Sequence, residues 1–184
     1  MNTLTFLVNT IIQLYAMVLL LRIWMQWTRC DFYNPFSQFV VRLTQPVVKP
    51  LQRILPVVGS IDTASLLLAF ILCTIKIPVL ILLLEGRFIS SPAYLLIGIL
   101  TLMKYAGLLV FWIIILRSLM SWVSQGRSPV EYVLIQLTEP LMGPVRRLLP
   151  AMGGVDLSGM VVILILYLLN YICMDMFQLY WYQI

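Results

Sequence analysis

The sequence predicts an all-α polytopic membrane protein with four transmembrane helices, arranged as two copies of one unit. Three observations carry that prediction. Of the 184 residues, 62% are apolar and 10% are charged, against about 45–50% and about 25% in soluble globular chains. Four apolar runs are long enough to cross a hydrocarbon layer of about 30 Å at about 1.5 Å per residue. A proline-rich segment also occurs twice, in the same place relative to the runs on either side of it.

The first run covers residues 4–27. Its positive charges, Arg22 and Arg29, follow the apolar stretch rather than precede it, and no small-x-small cleavage site closes it. It therefore reads as an uncleaved span and not as a signal peptide. The segment that follows, 35–56, is amphipathic at helical spacing. Phe36, Phe39, Val40, Leu43, Val47, Leu51 and Ile54 share one face, while Gln38, Arg42, Gln45, Lys49, Gln52 and Arg53 share the other. Such a segment is too polar to span, so it is expected to lie in the membrane interface. Asn34 and Pro35 suit the cap and first position of a helix. Pro46 and Pro50 lack amide hydrogens and clash with the preceding turn, so the segment is expected to break near Gln45 into a hairpin of two short helices.

Span two is read over 63–84, capped by Asp62, and a short link containing Arg87 leads to span three over 93–116. The second proline-rich segment, 129–150, opens on Ser128-Pro129 with Glu131 placed for a capping box. Asp156 is expected to cap span four, 157–182.

The duplication is detailed. Residues 44–56 (TQPVVKPLQRILP) align with 138–150 (TEPLMGPVRRLLP), so that Pro46, Pro50, Pro56 and Arg53 match Pro140, Pro144, Pro150 and Arg147. The offset, Thr44 to Thr138, is 94 residues and continues through Gly59/Gly153 and Asp62/Asp156; upstream, Arg22 and Trp27 match Arg117 and Trp122 at 95, and Pro35 matches Pro129. The units are thus 1–86 and 93–184. Each holds two spans, so both enter the membrane from one side, as parallel repeats about a pseudo-twofold along the membrane normal.

Charge sets the expected orientation. The two long loops hold Arg29, Arg42, Lys49, Arg53, Arg127, Arg146 and Arg147, whereas the opposite side has Arg87 alone. The positive-inside rule puts both loops in the cytoplasm of a bacterial inner membrane, with both termini periplasmic. Trp24, Trp27 and Trp122 fall where an interfacial aromatic belt is expected. The net charge of +5 then reads as contact with anionic lipid headgroups rather than with nucleic acid.

Ionisable residues inside a span are costly, about 2.5–3.5 kcal/mol on insertion scales, and three qualify: Lys76, Lys104 and Asp175. At about 1.5 Å per residue they lie roughly 12, 17 and 10 Å from the outer ends of their spans. By depth, Lys76 and Asp175 are expected to pair. Across the repeats Lys104 aligns with Asn9 and Lys76 with Asn170. These residues form a candidate intramembrane polar cluster, read either as an ion or solute pathway or as polar glue between helices.

Cys30, Cys73 and Cys173 show no metal or redox spacing, and two of them fall within spans, so they read as packing residues. Histidine is absent. No nucleophile elbow, phosphate-binding glycine loop or paired-acid motif occurs, so neither an enzyme nor a cofactor is expected.

The twice-repeated Asn/Ser-Pro, Leu-Thr-x-Pro-x-x-x-Pro and Arg-x-Leu-Pro elements, followed by glycine and aspartate, resemble the YggT family, called YlmG in Gram-positive bacteria and plastids. The resemblance covers nearly the whole chain in the family's two-repeat form, with Gly159 departing from an expected proline. It implies a helical membrane protein linked to envelope assembly, cell division or osmotic homeostasis. The functional reading assigns Arg42, Lys49, Arg53, Arg146 and Arg147 to a lipid headgroup, a membrane-protein partner or a second copy. The structural reading makes the segment a buttress whose arginines snorkel or pair with Glu139 and Asp62.

Overall fold

The computed structural model describes residues 3–55, 59, 61–89, 91–124, 128–148 and 157–184, with backbone alone for 122, 124 and 183. Pro56, Pro150, Gly153, Asp156 and Arg127 lie outside the described residues, and with them the expected cap of span four.

Six helices account for the regular structure: α1 (Thr3–Trp27), α2 (Pro35–Gln52), α3 (Thr63–Glu85), α4 (Ala93–Ser124), α5 (Pro129–Leu148) and α6 (Ser158–Gln183). Among the described residues, α1, α3, α4 and α6 are long and apolar enough to cross a membrane. Their large exposed side chains, such as Leu7, Ile11, Leu95, Met103, Leu164 and Leu168, form the face that lipid covers.

The helix ends follow local chemistry. Asn34 caps α2 by accepting from the Phe36 amide at 3.0 Å, with Pro35 in the first turn. Asp62 caps α3 by accepting from the Ser65 amide at 3.3 Å, as expected. Gly86 ends α3 at φ +66°, a left-handed conformation that glycine adopts without a Cβ penalty, and its amide returns to Leu82 O.

Two expectations are corrected by the helices themselves. The proline segments are not hairpins of two short helices: α2 and α5 each run on through their two prolines. The reason lies in the spacing. Pro46 and Pro50, like Pro140 and Pro144, stand four residues apart, so the two missing donors stack on one side of the helix, and all four prolines are exposed there. The donors are lost on that exposed side alone, so the bonds on the opposite side can carry each helix on. Second, Trp24 does not stand in an aromatic belt; it is 9% exposed and buried among Leu21, Met25, Val40, Leu109 and Val133. Trp27 is half-exposed, and the side chain of Trp122 lies outside the description.

The Trp24 cluster draws on α1, α2, α4 and α5 and so joins the two halves. Each half also has a cluster of its own. Leu19 and Val48 sit with Ala64 and Ala69 in one, and Ile114 and Met142 with Val162 in the other. Leu19 aligns with Ile114 and Val48 with Met142. Between the halves α3 packs on both α1 and α4, whereas α6 packs on α4 and α5. Connectivity places the chain ends, Glu85 and Ala93 at one end of the bundle and α2 and α5 at the other.

Candidate functional site

The side chains of α2 fall into three strips. Ser37, Val40, Thr44 and Val48 are buried against the bundle. Beside them Phe39, Leu43 and Val47 are exposed. The third strip carries Arg42, Lys49 and Arg53, all exposed. An apolar strip next to a basic one is the form of a helix lying at a membrane surface. Arg42, Gln45, Pro46, Lys49, Pro50 and Arg53 together line a shallow groove of about 580 Å³. Three cations, one glutamine and two prolines meet there, a surface suited to an anion or its water shell.

The second copy is not equivalent. Arg146 bonds Glu139 at 3.1 and 3.2 Å in a partly exposed pair, while Arg147 is exposed. The structural reading is thus met for Glu139. It is not met for Arg53 and Asp62, because Asp62 has another partner.

That partner is Arg22. Its Nε donates to Asp62 Oδ2 at 3.3 Å and its Nη1 donates to Thr44 Oγ1 at 2.8 Å. Asp62 Oδ2 also accepts from Gln52 Nε2 and from Ser65 Oγ, both at 2.8 Å. Thr44 Oγ1 passes its own hydrogen to Val40 O at 2.8 Å. Arg22 is 6% exposed and Asp62 fully buried, so this network pins α1, α2 and the start of α3 together. In the second half Arg117 Nη1 donates to Thr138 Oγ1, which donates to Leu134 O at 2.7 Å. Sequence reasoning used these residues for alignment and capping and missed that they meet. The signal was there: an arginine, a threonine and an aspartate recur at matching offsets in both copies.

The intramembrane polar residues are distributed differently from the depth argument. Lys76 and Asp175 do not pair. Lys76 Nζ donates to Tyr105 Oη at 2.9 Å and lies 5.3 Å from that ring's centre, whereas Asp175 is exposed on α6. Depth fixes height along the membrane normal and leaves the direction in which each helix faces open; α3 turns Lys76 toward α4. Of the four aligned residues, Lys104 and Asn170 are brought together through Trp181. Lys104 Nζ donates to Trp181 O at 3.1 Å, and Trp181 Nε1 donates to Asn170 Oδ1 at 3.1 Å. Asn9 Oδ1 is buried and unpartnered among the described residues. Of the cysteines, Cys30 and Cys73 are buried, and burial pushes the Cys30 thiol up despite its contact with Thr28. Such thiols pack rather than react.

A polar join links the halves where α2 and α5 meet: Asn34 Nδ2 donates to Pro129 O at 2.6 Å and Gln136 Oε1 accepts from the Asp31 amide at 3.2 Å.

The family model described as CCB3/YggT matches residues 1–83 and 96–177. A relative from Escherichia coli K12, "Uncharacterized protein YggT", is 59% identical over 170 residues, covering 92% of this chain and 88% of its own. One from Vibrio alginolyticus, "Uncharacterized protein in proC 3'region", is 51% identical over the full length of both chains. An uncharacterized protein of Haemophilus influenzae is 42% identical over 95% of this chain and 93% of its own. No solved structure matches.

Proposed function

The chain belongs to the CCB3/YggT family, and from that premise we propose that it is a non-catalytic component of the bacterial inner membrane that acts by holding anionic lipid headgroups on α2. The reading rests on one observation: Arg42, Lys49 and Arg53 are exposed together around the proline groove while the other side of α2 is anchored in the bundle. Each cation beside an anionic surface contributes about 1 kcal/mol. Three acting together favour anionic over neutral lipid by on the order of a hundredfold. A helix packed on α1, α3 and α5 and gripping headgroups organises the lipid, and through it neighbouring proteins or further copies, around itself. In this reading both proline helices face the cytoplasm, supported by the excess of Lys and Arg on their side, and both termini are periplasmic. The process served is envelope assembly, division or osmotic homeostasis.

The experiment is growth rescue of a deletion strain under osmotic stress, with membrane abundance measured for every variant. Arg42→Gln/Lys49→Gln/Arg53→Gln is expected to reach normal abundance and fail to rescue. Full rescue by that variant, beside failure of an equally abundant Lys76→Leu/Lys104→Leu variant, would replace this reading with a small ion or solute pathway.

A further inference from the structure

The two halves also differ where their spans cross, and that difference makes a cavity. In the first half α1 and α3 approach through Ala16 and Cys73, which are fully buried with Tyr105. At the repeat offsets the aligned residues are Phe111 and Tyr167. Their rings meet edge to face with centroids 6.1 Å apart, and rings in place of a methyl and a thiol hold α4 off α6. The result is a cleft of about 500 Å³ between these spans, within the roughly 300–1,000 Å³ of small-molecule sites.

The cleft is polar at one end. Residues 103–111 of α4 and 173–166 of α6 run side by side away from the end of the bundle that holds the chain termini. Lys104, Asn170 and Trp181 therefore lie toward that end, and Val110, Phe111 and Leu166 lie deeper. Trp181 arrives by an unusual route. Eleven residues of straight helix would carry it about 16 Å beyond Asn170, yet its indole bonds that side chain. The helix breaks at Phe177 (φ −116°, ψ 18°), and the last turns fold back over the cleft with Trp181 5% exposed. Lys104 has a carbonyl and an indole face for company. Among the described residues no carboxylate pairs with it, and an ammonium in hydrocarbon calls for an anion.

We propose that this cleft binds a long-chain fatty acid, its carboxylate against Lys104 and Asn170 and its alkyl chain along Gly107, Val110, Phe111 and Leu166. Lys104 lies eleven residues from Ala93, about 16 Å along α4. A phospholipid headgroup is held at the lipid surface, whereas a fatty acid in its protonated form carries no charge and reaches that depth. Residues 103–111 line about 12 Å of the cleft, which takes the carboxylate end of one chain and leaves the rest to the surrounding lipid. This site is independent of the headgroup reading of α2.

The test uses the whole protein in non-ionic detergent with dibromostearate, whose bromines quench tryptophan fluorescence. Its methyl ester and a dibrominated lysophosphatidylglycerol serve as the other arms. Saturable quenching is expected from the acid, at least tenfold tighter than from the ester, because a charged hydrogen bond is lost in the ester. Lys104→Gln should bring the acid to the level of the ester. Gly107→Leu should abolish saturation for both: a Cβ there meets nothing within 4 Å, so leucine enters the cleft without disturbing the helix. Equal, non-saturating quenching by acid and ester overturns the proposal, as does unchanged binding by Gly107→Leu. Tighter binding of the lysophospholipid than of the acid also overturns it, because the head site would then be a phosphate site.

Discussion

Replacing Arg22 by methionine tests whether the buried network, rather than apolar packing alone, holds α2 to the bundle. Asp62 is fully buried, and its Oδ2 accepts from Arg22 at 3.3 Å and from Gln52 and Ser65 at 2.8 Å. Methionine keeps the stem volume and leaves the carboxylate three neutral donors, counting the Ser65 amide, and no cation. Removing one member of a buried ion pair costs about 3–5 kcal/mol. Asp62→Asn strands the guanidinium with Thr44 alone and should cost a similar amount, while its remaining oxygen still caps α3, a bond that contributes about 1 kcal/mol. In the double variant Arg22→Met/Asp62→Asn no buried charge is left. Its cost should therefore fall below the sum of the singles by at least about 2 kcal/mol. The assay is unfolding in mixed micelles as an ionic detergent is titrated in, followed by tryptophan fluorescence. Single variants each costing under about 1 kcal/mol, or strict additivity, would show that the pair does not carry the join.

The pairing found for Lys76 predicts that Lys76→Met and Tyr105→Phe are non-additive in the same assay, whereas Lys76→Met and Asp175→Leu add within about 0.5 kcal/mol; coupling to Asp175 instead would refute the assignment. Gly98→Ala should cost about 1–3 kcal/mol, because its Cβ would overlap Thr74 Oγ1 and come within 3.1 Å of the Thr74 Cα, which cannot move aside. Gly107→Ala, with open space around it, should be neutral or stabilise by up to about 1 kcal/mol; equal effects at both glycines would argue against the close approach of α3 and α4. Cysteine labelling of intact cells should reach residue 88 and spare residue 49, and strong labelling at 49 would reverse the topology.

The proline segments show where local reasoning stops. Each proline alone predicts a break, because it removes a donor and crowds the turn before it. The outcome depended on whether the lost donors fell on one side of the helix or on both. With Pro46 and Pro50 four residues apart and exposed, the damage stays on one side and the helix continues. Asp62 is a different case. Its capping role was legible because a cap acts within three residues, but its ion pair with Arg22 spans forty positions and carries no local mark. The basic strip of α2 was legible from spacing; its separation from Arg146, which bonds Glu139, was not.

By itself the sequence determined how many helices are long and apolar enough to cross a membrane and where they begin and end to within a few residues, except that α4 runs on to Ser124, eight residues past the expected end at 116. These follow from transfer energy and length, which are local and additive along the chain. The tertiary structure alone decided which side chains meet: Arg22 with Asp62, Lys76 with Tyr105, and Trp181 folded back onto Lys104 and Asn170. Each residue turns a helix by about 100°, so facing direction depends on how every span packs against the others. A small residue or a ring at one crossing, Ala16 or Phe111, is enough to close that contact or to open it.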